Sequence, residues 1–408
     1  MYWLDRSARI KNTTRIKNTA RVVGVVAAAA LLASACGSSA SSSKPPASAS
    51  KKAAASGNPI TIPVIGDFTG TDAFFGTTEV AGMQPALAAL NQAGGIGGRP
   101  LKLDECDTQS TVSGAAQCGS KFASSPLVLG LSVIANIKAA LPSLGNTLFL
   151  AATNLLNPAK SSSAFQVAPP GASVDDVVDQ VAKASHFSTV GIVATDDAVG
   201  ESQIKFITAA KGPVKLNVQF VSPTASDDTV AIEKLVSSHV PMIYAAALGS
   251  AGAAVVKAYD ELKPSVPLVL TGADASFGFL KGISSFEPTT NLYTIPGTPL
   301  VPGDITTGQS TAALSAYIKA IQASAGHTPD TLDVSGAYAI DVTIALLKGA
   351  GLSSTVAAKE AWLHQNTIDS LTNVSFSNPA LNVLSNVPPG FDRISGTSFT
   401  SASMNLTS

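Results

Sequence analysis

Between residues 60 and 363, short apolar runs alternate with segments whose apolar residues recur every three or four positions. The run 60–65, Ile-Thr-Ile-Pro-Val-Ile, closes on Gly66 in the pattern of a buried strand. Within 79–92, Val80, Met83, Leu87 and Leu90 keep three- and four-residue spacing, which predicts an amphipathic helix. Gly94 and Gly95 end that helix without steric cost, and a second strand begins in 99–103. Strand, long loop, helix and strand make one crossover of a parallel sheet, and open α/β sheets hold small ligands in the loop after the first strand. The alternation continues with strands at 127–131, 147–151, 190–194, 214–221, 242–248 and 267–270, and helices at 113–122, 136–144, 174–184, 202–210, 229–237 and 253–262. Three further helices are predicted at 311–325, 334–347 and 355–363, before a tail from 368 of short strands and loops. Such a pattern means an α/β fold with mainly parallel sheets. Proline-containing stretches at 165–171 and 291–297 break it and are expected to be crossovers between lobes.

Three segments carry a family resemblance: Ile65-Gly-Asp-Phe-Thr-Gly70, Phe74-Phe75-Gly76, and Asn91-Gln-Ala-Gly-Gly-Ile-Gly-Gly-Arg99. Together they resemble the leucine/isoleucine/valine-binding protein family, extracytoplasmic solute receptors of ABC importers with the type I periplasmic-binding fold. The resemblance implies two Rossmann-like lobes joined by three hinge crossovers, with the ligand in the cleft between them. It places lobe 1 at 58–167 plus 297–363 and lobe 2 at 168–296 plus 364–408. Closure of the lobes around solute is the implied motion.

The start of the chain has another character. In 1–36 six basic residues oppose the single Asp5, and 22–35 carries no charge, the pattern of an export signal too short to be a comfortable membrane span. Its end, Leu31-Leu-Ala-Ser-Ala-Cys36-Gly, resembles a bacterial lipoprotein cleavage box with Cys36 as the acylated residue, although Ala33 stands where that box usually has Leu. An ordinary secretory signal with a stray cysteine is the alternative. Residues 37–57 are Ser, Ala, Lys and Pro with almost no large apolar side chain, and are expected to form a flexible tether.

Charge and cysteine use fit an exported body. The chain has 26 Lys and Arg against 27 Asp and Glu; without the signal 20 basic residues face 26 acids, a net of −6, and without Lys44, Lys51 and Lys52 the net is −9. An acidic body with no basic stripe argues against nucleic acid as a partner. With Cys36 assigned to the anchor, Cys106 and Cys118 are expected to form a disulfide, which a cell exterior permits. A metal site is the competitor, but two thiolates with no histidine nearby make a poor zinc site.

The resemblance also implies a binding site, and each of its residues has a plainer explanation. Ala151-Ala152-Thr153 matches the family's Ala-Ala-Thr, which holds the ammonium and carboxylate of an amino acid; alternatively, small residues let a strand end pack tightly. Ser132 and Asn136 lie around the start of the helix after 127–131, where free N–H groups suit an anionic head group. The family's loop is rich in Ser and Thr there, and Asn136 reads equally as a helix cap. Phe75 stands where the family has an aromatic residue at the pocket mouth, with core packing as the alternative. In lobe 2, Val199 and Leu248 stand where the family has two aromatic residues, and Asp274 where it has a glutamate. Asp274 is thus either the partner of a ligand ammonium or an acid in a solvated loop. An apolar pocket without phenolic hydroxyls suits a larger or more apolar solute at least as well as a branched-chain amino acid.

Enzymatic chemistry finds little support. There is no Gly-x-Ser-x-Gly elbow, and His186, His239, His327 and His364 are scattered, each without a second ligand at helical spacing. Gly94-Gly-Ile-Gly-Gly98 follows a helix rather than a strand, so it is no dinucleotide fingerprint. No cofactor or metal is expected. The sequence therefore points to a lipid-anchored receptor on the outer face of the cell membrane. It would be a monomer by family default, capturing an amino acid or similar apolar acid or amide for an ABC permease. The alternative is a sensory or partner-binding lipoprotein of the same fold.

Overall fold

A computed structural model describes residues 54–407 apart from 132, 210–213, 289 and 306–308. The export signal, Cys36 and the tether up to residue 53 lie outside the described residues. The last tether residues belong to the body: Ala55 N–H donates to Asn91 O and Gly57 N–H to Gly98 O, each at 3.0 Å.

The first half of the chain builds a parallel sheet. Its elements are β1 (Ile60–Gly66), α1 (Ala73–Gln92), β2 (Leu101–Asp107), α2 (Val112–Lys121), β3 (Leu127–Leu131), α3 (Ile134–Leu144), β4 (Leu148–Ala151) and β5 (Ala164–Gln166). The strand order is β2-β1-β3-β4-β5, every pair parallel. β3 and β4 are buried along their whole length, as strands covered on both faces must be, which is why they read as continuous apolar runs. The disulfide forms between Cys106 on β2 and Cys118 on α2, with Cα atoms 5.7 Å apart.

A second sheet repeats the scheme with α4 (Gly171–Ala184), β6 (Thr189–Thr195), α5 (Ala198–Ala209), β7 (Lys215–Val221), α6 (Thr229–Ser237), β8 (Ile243–Ala246), α7 (Ser250–Leu262), β9 (Leu268–Thr271), α8 (Phe277–Gly282) and β10 (Leu292–Ile295). Its parallel part runs β7-β6-β8-β9-β10, the same winding as the first sheet. In both sheets the chain reverses direction of winding beside the first strand, and such a switch point leaves a crevice at the carboxyl ends of the strands.

The chain then returns. α9 (Ala312–Ala325), α10 (Thr331–Gly349) and α11 (Val356–Gln365) precede the hairpin β11 (Thr367–Asp369) and β12 (Asn373–Ser375), and β13 (Asp392–Ser395) with β14 (Ser398–Ser401) extends the second sheet antiparallel to β10. Two expectations need correction. Residues 364–385, expected with lobe 2, pack on the first sheet: Val383 pairs with Gln166 of β5, Phe376 meets the Phe165 ring edge-on, and the Tyr338 and Thr372 hydroxyls bond at 2.9 Å. The third crossing of the chain therefore lies between Leu384 and Asp392. Helix α1 also starts six residues earlier than its apolar spacing predicts. Its first half buries Gly76, Glu79 and Gly82 rather than large apolar side chains, so hydrophobic periodicity misses it.

Candidate functional site

The two switch points contribute to one cavity of about 240 Å³. On the first-sheet side its walls are Phe75 and Glu79 of α1, Val133 and Ile134 after β3, Ala152 and Thr153 after β4, and Thr331 of α10. On the second-sheet side they are Gln203 of α5, Tyr244 and Leu248 from β8 and beyond, Thr271 to Ala273, and Ile295 to Thr298. The crossing segments close it: Gly171 N–H, at the start of α4, donates to Asn154 O at 2.8 Å, and Gly297 adopts φ +74°. A Cβ on Gly297 would stand 2.8 Å from Val174 Cγ2, so both the turn and the space require glycine there.

Of the residues expected at the site, Phe75, Ala152, Thr153 and Leu248 line this cavity. Phe75 does so from the first turn of α1, not from a loop, with Phe74 tilted against it and more exposed. Ala151 does not line it: its side chain is buried in the core beneath the sheet with Phe149 and Ile137. Asn136 is 2% exposed and donates through Nδ2 to Asp67 Oδ1 at 2.8 Å, tying α3 to the end of β1 rather than facing solute. Asp274 also turns away. Its Oδ1 accepts the Gly249 N–H at 2.9 Å, at the residue preceding α7, where a carboxylate offsets the helix dipole. Burial nonetheless pushes the Asp274 carboxyl up to about 8, against the lowering effect of the Gly249 and Thr271 contacts. Ser132 is outside the described residues, and of Val199 only the backbone, in the first turn of α5, is described.

Sequence reasoning missed four polar groups of the cavity. Glu79 Oε2, Gln203 Oε1, Thr298 Oγ1 and Thr331 Oγ1 are buried and have no hydrogen-bond partner among the described residues. Glu79 is 2% exposed; burial first, then the nearby Asp67 and Asp330 charges, hold its carboxyl well above the ordinary range. A signal for it was available. Phe75, Glu79 and Met83 follow one another at four-residue spacing, which puts the acid on the buried stripe of a helix extended back to Ala73.

Acids occupy two of the helix N-termini near the cavity. Asp67 Oδ2 accepts the Val133 N–H at 3.1 Å before α3, while Asp330 Oδ1 accepts Leu332 and Asp333 N–H at 2.8 and 3.0 Å at the start of α10. Asp330 Oδ2 also accepts the Phe277 N–H at 2.7 Å, joining α10 to the start of α8. The arrangement offers an apolar body-binding space with hydrogen-bonding oxygens in its walls.

Known proteins show the same architecture. The sequence pattern of a family described as periplasmic binding protein matches residues 59–382. No curated protein matches the chain by sequence. Among solved structures, the branched-chain amino acid transporter substrate-binding protein LivJ of Streptococcus pneumoniae, in complex with isoleucine, is 17% identical with a TM-score of 0.69 over 84% of this chain and 98% of its own. The leucine-binding protein LivK of Thermotoga maritima is 14% identical, with a TM-score of 0.69 and the same coverage. An ABC transporter solute-binding protein from R. palustris in complex with benzoate is 16% identical, with a TM-score of 0.65 over 84% of this chain and 95% of its own. At these identities the likeness carries the fold, a type I periplasmic-binding fold.

Proposed function

The chain belongs to the periplasmic binding protein family, and on that premise we propose that it is the solute-capturing receptor of an ABC importer, held on the outer face of the membrane by acyl chains on Cys36. The observation that carries this reading is the cavity of about 240 Å³, whose walls come from the strand ends of both sheets. Residues 58–167 with 297–385 form one lobe and 168–296 with 386–408 the other, hinged at the three chain crossings. Closure packs Phe75, Ala152 and Thr153 from one side and Leu248 from the other around a small, largely apolar organic solute. A volume of this size and mostly apolar walls suit the class to which isoleucine and benzoate belong, ligands of two structurally similar proteins. The monomeric receptor then hands the solute to a permease.

Thermal unfolding of the purified protein against amino acids, amides, amines and small carboxylates tests this. A ligand that binds only the folded state at 100 times its Kd adds about 2.7 kcal/mol of stability, so a true solute raises Tm. A rise for one chemical class, lost when Ala152→Phe fills the cavity, is the expected result. A panel with no response would move the protein to the sensory or partner-binding alternative.

A further inference from the structure

The cavity holds one carboxylate and, among the described residues lining it, no Lys, Arg or His. That carboxylate is Glu79, 2% exposed, with Oε2 buried and unpartnered. Like the ionised carboxylate, the unpartnered Gln203 Oε1 accepts hydrogen bonds and cannot donate. The Thr298 and Thr331 hydroxyls on neighbouring walls can accept as well. A solute that satisfies these groups must bring N–H or O–H donors.

An anionic head group fares worse. Three of the helix N-termini that would attract one already have protein carboxylates, Asp67 before α3, Asp330 at α10 and Asp274 before α7, and at a fourth, α4, the Gly171 N–H already donates to Asn154 O. A carboxylate in the cavity would find no counter-charge among the lining side chains. From these contacts we propose that the solute carries a primary ammonium head on an apolar body and that Glu79 receives it, a proposal that rests on the receptor reading of the same cavity. Three ammonium donors match the acceptor-rich wall, and Phe75, Val133, Ile134 and Leu248 take the apolar body.

Electrostatics give the proposal a proton signature. The charged groups facing Glu79 are Asp67, from the end of β1, and Asp330, from the start of α10, and both add to the effect of burial in raising its pKa. An adjacent ammonium acts in the opposite direction and favours the ionised acid. Where Glu79 is protonated in the free protein, binding therefore sends its proton to the buffer and leaves a carboxylate–ammonium pair.

Calorimetric titration of the full chain near neutral pH, in phosphate and in Tris, tests this with matched probes: isoamylamine and phenethylamine against 4-methylpentanoate and 3-phenylpropionate. The amines are expected to bind and the carboxylates not. Amine heats are expected to differ between buffers as a proton is released. In Glu79→Gln the amine affinity is expected to fall by about 30-fold or more and the buffer dependence to vanish. The comparison of amines with carboxylates in the unmodified chain decides the head group even if the variant folds poorly. Amine binding unchanged in Glu79→Gln overturns the role of Glu79. Binding of carboxylates alone overturns the ammonium and leaves the receptor standing, whereas no heat from any probe here and no response in the wider solute panel overturns both.

Discussion

Helices α1 and α10 meet backbone to backbone, and replacing Gly336 by alanine should force them apart. A Cβ on Gly336 would stand 1.9 Å from the Glu79 carbonyl oxygen, and one on Gly82 2.1 Å from that of Asp333. Close carbon–oxygen contacts in proteins lie at about 3.3 Å or more, so Gly336→Ala requires roughly 1.4 Å of separation at this point. Overpacking of a core costs about 1–3 kcal/mol, and with backbone as the obstacle no side chain can rotate away, so the upper end, about 3 kcal/mol, applies. Alanine recovers about 1 kcal/mol over glycine inside a helix. The expected net loss is about 2 kcal/mol, read by urea unfolding, with Trp362, whose ring lies against Gly349 of α10, as the fluorescent reporter. Gly278→Ala in α8 is the control: its Cβ would meet nothing within 4 Å, and a gain of up to about 1 kcal/mol is expected. Because the displaced turn of α1 carries Glu79, solute affinity should fall with stability. A Gly336→Ala protein as stable as the original would refute the close approach of the two helices.

Three further outcomes are expected. Asp274 has a folded-state pKa of about 8 against an unfolded value of about 3.9, so it costs stability progressively as pH rises from about 4 to about 8. Asp274→Asn should flatten that decline in Tm-versus-pH curves while sparing solute affinity, since the side chain bonds Gly249 rather than lining the cavity. Replacing Cys106 and Cys118 by serine opens a bridge spanning 12 positions and should cost about 3 kcal/mol in chemical unfolding; an unchanged midpoint would mean that loop closure contributes nothing. Cys36→Ala should move the protein from the membrane fraction to the soluble exported fraction of fractionated cells, and membrane retention of the variant would remove the lipid anchor.

Most of the architecture was legible because parallel strands buried on both faces leave unbroken apolar runs. Leu127–Leu131 and Leu148–Ala151 needed no other signal. What escaped were places where backbone, not side chain, makes the contact. The first turns of α1 escape apolar spacing because the positions they bury, Gly76, Glu79 and Gly82, carry no large apolar side chain, and Gly76 packs directly on Asp67 O. Whereas 392–401 joins the second sheet as expected, the part of the tail at 364–385 escapes for a related reason. Its anchors are polar and scattered: Asn382 Nδ2 donates to Ser162 O and Ala164 O, and His364 Nε2 bonds Asn382 Oδ1 at 2.8 Å. No periodicity announces such contacts.

The misplacement of Asp274 follows from one ambiguity. In an α/β sheet the loop after a strand faces both the ligand crevice and the N-terminus of a helix, and an acid there serves either. Asp67, Asp274 and Asp330 all took the helix. With those three committed to N–H groups, the acid left for the cavity is Glu79, which lies inside a helix rather than after a strand and so escapes a search of strand ends. Burial first, then the Asp67 and Asp330 charges, raise its pKa, and in the proposed complex a cationic solute opposes both effects. On the proposed reading, the specificity of the cleft is set as much by which carboxylates already hold helix N–H groups as by the apolar residues that shape the walls.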